Sequence, residues 1–282
     1  MLTPHDIHHG VLLPAFLAVV FLLPALIPKL RPRAHIPLLV ALTVPFLLSY
    51  LHLFGRPPLP PIDATQWLFY LPFAVFPIAL IIDLTNLRSL SLPLLVLSTT
   101  LILWPILRNG NSFAESVTII SFISLASFLS YISLTHLSPR MGNPSTHLIL
   151  LLILAATSQI LFMSASQTLG QTSLILAAAL LGSLPLAWYL KIPPTPGPLL
   201  LILILWHALL ISGHFLASLT PLNALLLLIS PHLAWLSEAA RPRHWPKPAR
   251  IILRFASVLI PMLIAQSLAL RDFLEATREM QM

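Results

Sequence analysis

The sequence contains no cysteine. That absence removes structural disulfides, thiolate metal sites, iron–sulfur ligation and cysteine nucleophiles together. Charge is scarce as well: 8% of the 282 residues are Asp, Glu, Lys or Arg, and no polar stretch is long enough to fold as a soluble domain. Glycine is limited to 8 residues and no GxxxG occurs, so close helix approach is expected to use Ala and Ser. HExxH, GxSxG, phosphate-loop and dinucleotide patterns are all missing, which leaves no catalytic motif. No Lys or Arg precedes the first apolar run. The segment MLTPHDIHHG therefore lacks the positive start of a secretory signal. Lys29, Arg31 and Arg33 follow the run instead, as expected for a retained first helix with its N-terminus outside.

What is present is a succession of apolar stretches, with a mean hydropathy of +0.93. About 20 apolar residues suffice for a helix to cross a bilayer. Backbone polar groups in hydrocarbon must be paired internally, which permits helices or closed barrels. Barrel strands would alternate in segments of about ten residues; these runs are continuous and Leu-rich, so the fold class is all-α, a polytopic integral membrane helical bundle. Spans are expected at about 8–28, 35–54, 66–83, 89–107, 113–137, 147–166, 172–190, 199–218, 222–237 and 251–270, in one transmembrane domain covering 1–282. The ninth is short and interrupted by Pro231, and without it the count is nine. With ten spans, loops on the inner side hold most Lys and Arg, including Arg88, Arg140, Lys191, Arg241, Arg243, Lys247, Arg250 and Arg254. Arg56, Arg108, Arg271 and Arg278 fall outside. This positive-inside bias favours ten spans over nine, in a bacterial-type inner or plasma membrane.

Proline is abundant, with 28 residues spread through most spans, and interior prolines kink helices. The fifth and sixth spans carry none. The fifth has Thr118, Ser121, Ser124, Ser127, Ser130 and Ser133 at every third position. At 100° per residue these hydroxyls spiral round the helix and do not form a stripe. That distribution predicts a helix surrounded by protein at the bundle centre, with the sixth span as neighbour through Thr157, Ser158 and Gln159. A polar interior is expected at Ser124, Ser127, Gln159 and His207.

Ionisable groups in a bilayer are functional suspects. Glu115 follows Ser112 by three residues, the spacing of a capping box. Asp83 and Glu238 lie at span ends near Arg88 and Arg241, and no acid lies at mid-span. Among the 11 histidines, His8, His9, His52 and His214 fall toward the outer leaflet, where imidazoles can hold a metal or haem iron; no closely spaced ligand motif supports a metal or other cofactor. The basic loops 28–35 and 241–250 share an R-P-R and precede helices. Arg31, Arg33, Arg241 and Arg243 are expected to meet anionic lipid. The net charge of +7 is explained by membrane lipids as partners and does not call for nucleic acid.

These observations favour a non-catalytic membrane subunit or scaffold, with other membrane subunits as partners. A transporter of a small neutral or apolar solute is the first alternative, and a histidine-ligated metal or haem protein the second.

Overall fold

The computed structural model describes residues 3–85, 87–107, 112–141, 143–239 and 245–279. The chain is 89% helical with no strand among the described residues, so the bundle is all-α. The helices are α1 (Pro4–Leu26), α2 (His35–Phe54), α3 (Trp67–Thr85), α4 (Ser91–Leu107), α5 (Phe113–Met141), α6 (Asn143–Met163), α7 (Gln167–Tyr189), α8 (Pro196–Leu216), α9 (Pro221–Ile229), α10 (Trp235–Ala239) and α11 (Lys247–Glu279). Among the described residues, eight helices are long and apolar enough to cross a membrane: α1, α2, α3, α5, α6, α7, α8 and α11. The protein is therefore a multi-pass membrane protein. The fourth expected span is a shorter apolar helix. The ninth is interrupted, as Pro231 predicts: a 3-10 turn, Ser230–Ala234, joins α9 to α10.

Local chemistry explains the ends. Thr3 and Asp6 form a capping box at the start of α1, with Thr3 N–H donating to Asp6 at 2.8 Å and Asp6 N–H donating to Thr3 at 3.2 Å. A π turn, His8–Leu12, follows; Pro14 has no N–H with which to close a helical bond onto Gly10. Ser112 and Glu115 show the expected reciprocal bonds, at 2.8 and 3.3 Å. Asp83 does not pair with Arg88. It caps α8 from the neighbouring α3, accepting from Gly197 N–H at 2.8 Å and from Thr195 Oγ1 at 2.7 Å.

The centre of the bundle is not α5. Of the most apolar window of each helix, 83% is buried in α8 but only 33% in α5, and Phe122, Leu125 and Leu129 of α5 face outward. Helix α8 is surrounded by α2, α3, α4, α5 and α7. Nor is α6 the main neighbour of α5. It packs chiefly on α7, where Ser158 donates to Gly170 O at 2.8 Å and Ser173 donates to Leu154 O at 2.9 Å. Helix α5 instead lies against α4, α8 and the 3-10 turn. Helix α1 packs on α2 and α7, and Gly182 of α7 meets the backbone of Ala15.

Two contacts group the loops into ends. Ser138 at the end of α5 donates to Pro194 O just before α8, at 3.4 Å. Arg254 near the start of α11 donates to Met141 O at 2.9 Å. Residues 28–35, 83–85, 87–91, 137–141, 143–145, 190–196, 237–239 and 245–254 share one end. The N-terminus, 55–66, 163–167, 217–220 and the end of α11 share the other.

Candidate functional site

Three helix faces converge on a cleft of about 240 Å³. Phe122, Ile123, Ala126 and Ser127 come from α5; His207, Leu210, Ile211, His214 and Phe215 from α8; Pro221, Ala224, Leu225 and Leu228 from α9. The spacings within each set are those of one helical face. Phe122 and Leu225 at the rim are exposed, so the mouth lies on the outward, lipid-facing side of the bundle. The lining is apolar apart from one hydroxyl and two imidazoles.

Both imidazoles bond to backbone carbonyls. His207 Nδ1 lies 2.7 Å from Leu203 O, and His214 Nδ1 lies 3.0 Å from Leu219 O. A carbonyl oxygen only accepts, so both Nδ1 atoms carry a proton, and Nε2 of a ring with no second proton is an acceptor. His207 is buried and its Nε2 has no hydrogen-bond partner. His214 is exposed at the mouth. Seven residues along α8 separate the rings by about 10 Å.

Behind the cleft runs a polar seam that the sequence did not disclose. His232, in the 3-10 turn, places Nε2 2.9 Å from Ser130 Oγ and Nδ1 3.0 Å from Ser133 Oγ. Trp235 Nε1 also donates to Ser133, at 2.9 Å. Two of the serines on α5 therefore secure the break between α9 and α10. Trp206, beside His207, donates to Thr157 of α6 at 3.0 Å.

The expected polar interior divides. Ser127 and His207 meet at the cleft. Ser124 is buried with an unpartnered hydroxyl, away from the cleft lining. Gln159 is exposed and accepts from Gln266 of α11 at 2.6 Å. The histidine set divides too. His9 lies 4.6 Å from His8 and stacks on His52 at 5.1 Å between ring centroids, with His5 4.5 Å away on the other side. His214 belongs to the cleft. Among the described residues no three His, Asp or Glu side chains are arranged to hold a metal ion. Arg33 is exposed; the side chain of Arg31, and Arg241 and Arg243 altogether, lie outside the described residues.

Arg254 belongs by sequence with the loop charges, although it lies three residues inside the expected tenth span. An ionisable group in that position was a signal. It is buried and engages four groups. Nε donates to Ser237 at 3.1 Å, NH1 to Met141 O at 2.9 Å and Ser145 at 3.1 Å, and NH2 to Glu238 at 2.7 Å. Glu238 thus pairs across to α11. No family model matches this chain, and neither does any curated protein or solved structure.

Proposed function

We propose that this membrane protein is a transporter of a small, neutral, largely apolar solute that carries at least one O–H or N–H donor. The solute enters sideways from the bilayer and binds in the cleft between α5, α8 and α9. The observation that carries this reading is the His207 imidazole in the cleft lining, whose Nδ1 is tied to Leu203 O while its buried Nε2 is left without a hydrogen-bond partner.

A buried acceptor left unmet costs about 1–3 kcal/mol, and interhelical hydrogen bonds in bilayers are worth about 0.6 kcal/mol on average. A solute donor that satisfies His207 therefore gains about 1–2 kcal/mol over a hydrocarbon of equal shape, roughly five- to thirtyfold in affinity. That increment distinguishes the solute from lipid tails, which match the apolar walls equally well. The broken α9–α10 segment beside the cleft supports transport, because discontinuous helices commonly border substrate sites in transporters. A non-catalytic subunit would need neither an open cleft nor an unmet acceptor. We also place the N-terminus outside, in a bacterial-type inner or plasma membrane, with the Lys- and Arg-rich end of the bundle inward.

The test is mass spectrometry of organic extracts from protein purified in native lipid. A small lipid-soluble species should be enriched with the wild-type chain, reduced with His207→Leu, and lost with Ala126→Phe, which fills the cleft. Identical extracts from all three proteins would refute the assignment.

A further inference from the structure

A second recess, of about 190 Å³, opens at the end of the bundle that holds Arg140 of α5 and the start of α11. Four cations line it, Arg140, Lys247, Arg250 and Arg254, with Glu238 as the one acid. Glu238 is committed: its side chain is 5% exposed and it pairs with Arg254 at 2.7 Å. That pair forms a neutral floor, and among the described residues Arg140, Lys247 and Arg250 have no counter-charge.

Each of the three is placed as a donor awaiting an acceptor. Arg140 lies over the Trp235 ring at 4.9 Å, a contact that fixes the guanidinium plane and uses none of its N–H groups. Arg250 Nε is buried and has no partner. Lys247 is exposed at the rim. Lys247, Arg250 and Arg254 follow at intervals of three and four residues, so they share one face of α11 and repel one another there. Lys247 and Arg250 also sit in the first turn, where the helix dipole disfavours cations. An anion in the recess relieves both. Charges serving only as topology signals or headgroup anchors would extend toward water, not gather around a recess.

We infer that this recess is a binding site for a phosphate group, carried either by an anionic lipid headgroup or by a small soluble molecule. Guanidinium groups match phosphate oxygens through paired N–H donors, and the lysine adds a mobile point charge. The site is separate from the cleft and does not depend on the transport reading.

The experiment titrates the purified full chain in detergent with dioctanoyl phosphatidic acid, dioctanoyl phosphatidylcholine and inorganic phosphate, measured by calorimetry. Phosphatidic acid should bind saturably and phosphatidylcholine should not. The Lys247→Gln/Arg250→Gln double variant should weaken binding about tenfold or more, since it removes charge-assisted bonds. It leaves the Arg254–Glu238 pair intact and should melt like the wild type. Arg271→Gln/Arg278→Gln, an equal loss of charge at the opposite end, should bind as the wild type does. Displacement of phosphatidic acid by inorganic phosphate identifies a soluble phosphate as the source; binding that phosphate does not displace identifies the lipid. Equal weakening in both double variants, equal binding of phosphatidylcholine, or no saturable binding of any probe overturns the site.

Discussion

Arg254 of α11 and Glu238 of α10 form a 2.7 Å ion pair whose side chains are 7% and 5% exposed. The guanidinium also reaches the end of α5 at Met141 O and the start of α6 at Ser145, so one side chain ties four helices together. Removing one partner of a buried pair strands the other charge and costs about 3–5 kcal/mol. Arg254→Gln and Glu238→Gln should each lower the thermal midpoint in detergent markedly, while Arg271→Gln, at an exposed pair, should change it little. The double replacement Arg254→Met/Glu238→Leu should recover much of the loss, because no charge is left unpaired. A single variant as stable as Arg271→Gln contradicts the buried pairing.

Ser133 and Ser124 provide a matched comparison on α5. Ser133 serves both Trp235 Nε1 and His232 Nδ1, whereas the Ser124 hydroxyl is buried with no partner. Ser133→Ala leaves the indole donor and one imidazole nitrogen unmet and should destabilise by about 1–2 kcal/mol. Ser124→Ala should be neutral or slightly stabilising. A double-mutant cycle of Ser133→Ala with His232→Leu should give a clear coupling energy, and additivity would count against the seam.

The helical class was legible because hydrocarbon forces helices, and Pro231 marks its own break. The capping pair Ser112–Glu115 follows from spacing alone, and Thr3–Asp6 repeats that spacing with Asp in place of Glu. What sequence could not rank was position within the bundle. In lipid, apolarity does not separate a helix buried in protein from one facing acyl chains. The spans Pro196–Leu216 and Pro4–Leu26 share a hydropathy of 2.2, yet 83% of one window and 28% of the other are buried. Serine-rich α5 accordingly read as central although it is peripheral. The cleft was half legible: His207 and His214 share a helix face by spacing, but the α9 wall and the carbonyls that fix their tautomers are tertiary. Arg250 and Arg140 are 110 positions apart, and nothing local brings them together.

Gly182 of α7 lies directly against the backbone of α1. A Cβ built there would lie 2.7 Å from Ala15 Cα, a backbone atom that no side-chain rotation can move. Gly182→Ala must separate α1 from α7 and should cost about 1–3 kcal/mol, as overpacking does. Gly10→Ala, whose Cβ would meet only Leu53 at 3.6 Å, should be tolerated. Comparable melting of the two variants would show that α1 is not held closely against α7.

The distribution of charge between the two ends yields a prediction about orientation. Asp83 and Glu238 are the acids at the Lys- and Arg-rich end, whereas Asp6, Asp63, Glu115, Asp272, Glu275 and Glu279 lie toward the other end. Basic residues govern insertion, and cytoplasmic loops retain them. The chain has no cysteine of its own, so a single introduced thiol is an unambiguous marker. Asp63→Cys, in the exposed loop between α2 and α3, should react with a membrane-impermeant maleimide added to intact cells. Lys247→Cys, at the exposed start of α11, should react only after the membrane is opened. The reverse pattern would invert the bundle, and labelling of both in intact cells would mean that the two ends do not lie on opposite sides of the bilayer.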